Sequence, residues 1–230
     1  MVLGQPQPHL RKGKYMNILS VCDGLGAARI ALDKAGVGVS TYLSSEIDVS
    51  ALKVMESNYP CSEQIGDITK VGAYTDSMFG HEGPDFSVFD SFIPSRWLSK
   101  GFLIGGTPCT NVSFAGKQEG LKDTQSGLVF EYIRLKNGLQ PKWFLLENTR
   151  MSQASQDIIS EALGGIQPVA INSDLWVPQN RPRLYWTNIP IAPLPERPKW
   201  DCQYYQWRRN HYRANKSGVC PCLTANMGTG

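Results

Sequence analysis

The stretch MNILSVCDGLGAARIAL, residues 16–32, decides how the chain is read. It opens as a short apolar run of strand type, passes through a turn with glycines at 24 and 26, and continues into helical periodicity. The same alternation returns along the chain. Strands are expected at NILSVC (17–22), VSTYLSSE (39–46), GFLIGG (101–106), KWFLLEN (142–148), VAINSDLW (169–176) and RLYWTN (183–188). Between them ARIALDKAG, VSALKVMESNY, SGLVFEYIRLKNGL and SQASQDIISEAL have the spacing of amphipathic helices. Short strands alternating with helices predict an α/β fold, a parallel sheet with crossover helices.

Two stretches interrupt the rhythm. Residues 72–100 are long for a connection and read as an insertion lying over the sheet. After Asn188, the run IPIAPLPERPK holds four prolines and reads as a linker. The expected organisation is a loose tail over 1–15, a catalytic domain over 16–188 and a smaller region over 189–230.

Composition narrows the classes. A chain of 230 residues, 41% hydrophobic, can bury its own core. Six scattered cysteines read as reduced thiols rather than as a disulfide framework, which points to a cytoplasmic protein. No stretch is apolar for long enough to span a bilayer, so no membrane partner is expected. The net charge of +3 is too small to identify a partner. Its distribution says more: RPKWDCQYYQWRRNHYRANK, residues 197–216, has six basic residues, one acidic residue and five aromatics. That mixture suits a nucleic-acid surface, and equally a solvated face of a small subdomain.

The turn after the first strand, Cys22, Asp23, Gly24, Leu25 and Gly26, lets backbone approach a ligand at a helix N-terminus. Glu46 follows about 20 residues later, at a strand end where a carboxylate takes ribose hydroxyls in such folds. The third glycine of the dinucleotide fingerprint is replaced by Arg29, which disfavours NAD. Asp67, in GDITKV, is placed to accept from an adenine amino group, so S-adenosylmethionine is the expected cofactor.

The chemistry is expected to centre on GGTPCTNVS, residues 105–113. An apolar strand delivers Cys109 to the carboxyl end of the sheet, with Pro108 fixing φ before it. A lone cysteine is more often inert than reactive. This one is accompanied by Glu147 in LLENT and by Arg181 and Arg183 in QNRPR.

The ordered set DGLGAARIAL, SSEID, GDITKV, GGTPCTNVS, LLENT and QNRPR resembles the motif series of the cytosine-5 DNA methyltransferases, over residues 16–188. The stretch GKQEGLKDTQSGLVFE is similar to that family's catalytic loop and the helix after it. The resemblance implies an S-adenosylmethionine-dependent, Rossmann-like methyltransferase fold, with residues 189–230 forming part of a target-recognition region. Cys22, Asp23, Gly24, Leu25, Gly26, Glu46, Asp67 and Ile68 would hold S-adenosylmethionine, with Pro108 shaping the pocket. Cys109 would be the nucleophile, Glu147 would bind the flipped cytosine, and Arg181 and Arg183 would contact the base oxygen and steady the site. Double-stranded DNA is the implied partner, and a nucleoid association follows in a bacterial or phage setting.

The sequence departs from the family pattern at Cys22, where the family has Phe, and at Thr110, where Gln is common. Its last residues, CPCLTANMGTG, resemble only the start of the family's closing passage, so a second chain is expected to supply the rest. Cys202, His211, Cys220 and Cys222 lack the usual zinc spacing, and no metal is expected. The rival readings are a catalytically silent DNA-binding homologue or split-enzyme subunit, an RNA cytosine methyltransferase, and a Rossmann oxidoreductase.

Overall fold

The computed structural model describes residues 15–74, 89–108, 127–199, 205–208, 211–214 and 220–221. A seven-stranded sheet is built from β1 (Met16–Val21), β2 (Val39–Ser45), β3 (Glu63–Gln64), β6 (Phe102–Gly106), β7 (Trp143–Thr149), β8 (Val169–Asn172) and β10 (Pro182–Thr187). Its order is β3-β2-β1-β6-β7-β10-β8. β1 pairs in parallel with both β2 and β6, β2 pairs in parallel with β3, and β10 is antiparallel to β8. The α/β reading therefore holds, with the antiparallel β10–β8 pair at one edge of the sheet. Among the described residues, those before Glu147 form one compact unit and those from Glu147 onward a second.

In the first unit β1 is the central strand. Ile18, Leu19, Ser20 and Val21 are all buried, the pattern of a parallel strand covered on both faces. The longer helices of this unit among the described residues are α1 (Ala27–Lys34), α2 (Val49–Asn58) and α4 (Leu128–Leu139). Asp48 caps α2, accepting from the backbone N–H groups of Ser50 and Ala51. α4 approaches β6 closely: a Cβ on Gly105 would lie 2.5 Å from Cδ2 of the buried Tyr132 ring and 2.9 Å from Cγ2 of Val21. Tyr132 directs its hydroxyl to the carbonyl of Leu103.

The long connection contains structure of its own. β4 (Val71–Tyr74) and β5 (Ser91–Pro94) pair in parallel, and β5 runs into the short helix α3 (Ser95–Leu98). This pair is fastened to α4. Arg134 donates to the carbonyls of Ile68 and Val71 at 3.2 and 2.8 Å, pairs with Glu131 at 2.7 Å, and lies over the Phe89 ring. A parallel pairing across so long a loop leaves no short-range signal, so the sequence pattern does not reveal it.

In the second unit, helix α5 (Gln153–Ala162) is capped by Ser152. Trp186 is wholly buried and donates from its indole nitrogen to Oγ of Ser160 at 3.0 Å. The strand expected over 169–176 stops at Asn172, whose side chain accepts from the N–H of Asp174 and turns the chain into a 3-10 turn over Ser173–Leu175. Residues 189–199 have no regular structure, and Arg197 pairs with the buried Asp174 at 3.0 Å. Beyond them, β11 (Tyr205–Arg208) and β12 (His211–Ala214) form an antiparallel pair, while β13 (Cys220–Pro221) pairs with β9 (Gln179–Asn180). Among the described residues no helix is long and apolar enough to cross a membrane, and no cluster of His, Cys, Asp and Glu could hold a metal.

Because a Cβ on Gly105 would meet the wholly buried Tyr132 ring and Val21, Gly105→Ala is expected to destabilise the protein by about 1–3 kcal/mol. A thermal unfolding midpoint equal to that of the unsubstituted protein would contradict this packing.

Candidate active site

The turn that leaves β1 is shaped by backbone strain. Cys22, Gly24 and Gly26 all have positive φ, at 51°, 57° and 78°. Cys22 carries a side chain in a region that L residues rarely adopt, whereas glycine adopts it freely. Gly26 serves as the N-cap of α1, and a Cβ there would run into the sulfur of the buried Met55. Leu25, between the two glycines, is 60% exposed.

Asp23 turns inward and is 8% exposed. Its Oδ1 accepts from Ser20 Oγ at 2.7 Å, its Oδ2 from Ser44 Oγ at 2.8 Å, and both oxygens accept from the Tyr42 hydroxyl at 2.9 and 3.0 Å. Burial, then the Asp23 charge, holds the Tyr42 hydroxyl far above its ordinary range, so it stays protonated and donates. Sequence reasoning missed Ser20, Tyr42 and Ser44. Arg29, at the absent third glycine, lies over the rings of Tyr42 and Tyr59 and pairs with Asp33 at 3.2 Å.

Glu46 stands just past β2. Its Oε2 accepts from the N–H of Gly24 at 2.8 Å, and its Oε1 accepts from the N–H groups of Ile47 and Asp48 at 2.8 and 2.9 Å. Ile47 beside it is 69% exposed. Asp67 caps the 3-10 turn Ile68–Lys70 by accepting from the N–H of Thr69. The Ile68 side chain is core, so a ligand can meet this residue only through backbone. The carboxylates are felt at Cys22, whose thiol is pushed up to about 12, first by burial and then by Glu46 and Asp67. A thiol so held is protonated at neutral pH and is no nucleophile. Pro108 is exposed at the end of the described part of the β6 exit, after the buried Thr107. Cys109 itself lies outside the described residues.

In the second unit, Glu147 and Arg183 are brought together: Oε1 of Glu147 is 2.6 Å from Nε of Arg183. Nη1 of Arg183 also donates to the carbonyl of Pro182. The turn before β10 is set by amides. Oδ1 of Asn172 accepts from the N–H of Arg181 at 2.8 Å, its Nδ2 donates to Oδ1 of Asn180, and Ser173 Oγ donates to the carbonyl of Gln179. Arg181 presents an exposed side chain. Arg183 and Tyr185 share one face of β10 by the two-residue period of a strand. The Tyr185 hydroxyl is raised above its usual range by burial and by Glu147, with Arg183 and Arg181 opposing. Sequence reasoning overlooked Tyr185 and Asn172, although the i, i+2 spacing from Arg183 could have flagged the former.

Residues 16–191 match the family model described as C-5 cytosine-specific DNA methylase. The chain is 28% identical to Type II methyltransferase M.Bsp6I of Bacillus sp. (strain RFL6), across 94% of this chain and 79% of the relative. It is 35% identical to Type II methyltransferase M.BanI of Aneurinibacillus aneurinilyticus across 77% of this chain, and spans 39% of that protein's length. Among solved structures it is similar to a DNA modification methyltransferase encoded within a prophage of E. coli, with a TM-score of 0.54 and 19% identity, over 84% of this chain and 58% of the other. At that identity the likeness speaks to fold alone.

The raised Cys22 thiol gives a direct check. Its alkylation by iodoacetamide should still climb with pH at 10, whereas a small thiol of ordinary pKa near about 8.5 has levelled. Glu46→Gln removes one upward contribution and should speed labelling at pH 9. A plateau for Cys22 near pH 9 would show that the carboxylates do not act on it.

Proposed function

The chain belongs to the C-5 cytosine-specific DNA methylases, and on that premise we propose that it transfers a methyl group from S-adenosylmethionine to carbon 5 of a cytosine flipped out of double-stranded DNA. The Glu147–Arg183 pair, a carboxylate and a guanidinium 2.6 Å apart, is the observation that carries the reading. A cytosine edge offers a ring nitrogen and an amine to a carboxyl group, and a carbonyl oxygen to a guanidinium. Arg181 and Arg183 would take that oxygen, and Glu147 would hold a proton at ring nitrogen 3.

The residues around the β1 turn fit S-adenosylmethionine. The Glu46 carboxylate, oriented by three backbone N–H groups, suits ribose hydroxyls, and the exposed Leu25 and Ile47 offer apolar surface to an adenine ring. Asp67 suits the adenine amine. When bound, S-adenosylmethionine supplies an electrophilic methyl group. Carbon 5 of cytosine is unreactive until a nucleophile adds at carbon 6, which is the role proposed for Cys109. Glu147, protonating nitrogen 3, lets the ring accept that addition as an enamine. Loss of the carbon-5 proton after methylation expels the Cys109 thiolate and restores the aromatic ring. The base has to leave the helix for this, at a cost of a few kcal/mol.

The relatives' names associate them with type II methylation, and protection of a recognition site against a partner nuclease is the role proposed here.

The test is transfer of labelled methyl from S-adenosylmethionine to duplex DNA, with matched RNA as the competing substrate, and covalent capture on 5-fluorocytosine DNA. Glu147→Gln is expected to lower kcat by about 10²–10⁴-fold, and Cys109→Ser to abolish the adduct. Absence of an adduct with the unsubstituted protein would leave a silent DNA-binding homologue. Preference for RNA would move the reading to the RNA branch.

A further inference from the structure

We propose that Tyr42 and Ser44, acting through Asp23, are positioning residues that hold the β1 turn and Glu46 in the conformation that binds the methyl donor. The inference rests on the S-adenosylmethionine reading of that turn and names what keeps the site in shape.

Cys22 holds a positive φ that L residues rarely adopt, in a turn that Gly24 and Gly26 continue at positive φ, and such strain persists only where the surroundings over-determine it. Leu25 points to solvent and the two glycines have no side chains, so neither can anchor the turn from its own atoms. Asp23 is the residue that can. Its side chain reaches back to β1 through Ser20 and across to β2 through Tyr42 and Ser44, at 2.7–3.0 Å. Its N–H donates to the carbonyl of Ser45 at 3.3 Å, and its own carbonyl accepts from the N–H of Gly26 at 3.2 Å. One residue thus ties both ends of the turn to two adjacent strands.

The consequence reaches the ligand face one residue later. Gly24 donates its N–H to Glu46, so the register between the turn and the end of β2 sets where the Glu46 carboxylate points. Tyr42 and Ser44 lie on the same strand as the residue just before Glu46, four and two positions upstream of it. Their hydroxyls pull β2 and the turn toward one buried anion. The carboxylate is buried behind the turn and accepts from the neutral hydroxyls of Ser20, Tyr42 and Ser44, each deletion of which leaves a buried charge short of a contact. The Ser20, Tyr42 and Ser44 side chains are buried behind the turn, so loss of the Tyr42 or Ser44 hydroxyl should weaken binding of the donor without altering the chemical step.

The experiment measures S-adenosylmethionine affinity by calorimetry, and kcat at saturating S-adenosylmethionine, in the full chain and in Tyr42→Phe, Ser44→Ala and Leu139→Ala. Tyr42→Phe keeps the ring under Arg29 and deletes only the hydroxyl. Leu139→Ala lowers stability at a buried site on α4 away from the turn, and serves as the control. The expected result is a Kd raised about tenfold in Tyr42→Phe and Ser44→Ala, with kcat within about twofold, and an unchanged Kd in Leu139→Ala. Unchanged Kd in both hydroxyl variants overturns the proposal, and so does an equal rise in the control, which would make the effect one of global stability. If Tyr42→Phe does not fold, Ser44→Ala decides on the same terms. Failure of the unsubstituted protein to bind S-adenosylmethionine is a different outcome: it removes the cofactor reading itself, and the proposal with it.

Discussion

A carboxylate taken out of water at the end of a central strand is costly unless every oxygen is met by donors. Asp23 meets that condition with Ser20, Tyr42 and Ser44, and much of the first unit follows from it. The turn cannot relax while its second residue is held from both strands. α1 then starts where Gly26 allows, against Met55, and Glu46 takes its orientation from the N–H that Gly24 presents. The Cys22 thiol beside it is raised by burial, then by Glu46 and Asp67, and stays protonated at neutral pH.

The second unit solves a different problem. It brings the Glu147 carboxylate against the Arg183 guanidinium, with Arg181 two residues earlier in the chain. Arg183 is partly engaged, by Glu147 and by the Pro182 carbonyl, while the Arg181 backbone is held by Asn172 and its side chain reaches outward. The division comes from strand geometry and from the amide turn over Asn172–Asn180, which fixes where β10 begins. The wholly buried Trp186, bonded to Ser160, anchors the other end of the same strand on α5.

Arg29 illustrates how one substitution in a motif redirects local packing. Where a dinucleotide fold needs a third glycine for close helix–strand approach, this chain spreads a guanidinium over Tyr42 and Tyr59. The side chain shields the face of the tyrosine that donates to Asp23. The residue that argues against NAD in the sequence thus becomes part of the support for the turn.

The strands and helices were legible in the sequence because burial on a strand or helix repeats with a local period, and β1, β2, β6 and β7 lie where the apolar runs stand. The glycine turn at Gly24 and Gly26 and the position of Glu46 just past β2 were legible too, since turn and strand-end chemistry is written within a few residues. Tertiary structure alone decided who meets whom. Nothing local relates Tyr42 to Asp23, 19 residues apart, or Arg134 to the carbonyls of Ile68 and Val71, more than 60 residues away. Nor does the composition of GDITKV tell that Ile68 is core while Asp67 caps a turn. Periodicity reports which face of an element is buried. The partner buried against that face depends on the path of the whole chain, and that is where the site acquires its geometry.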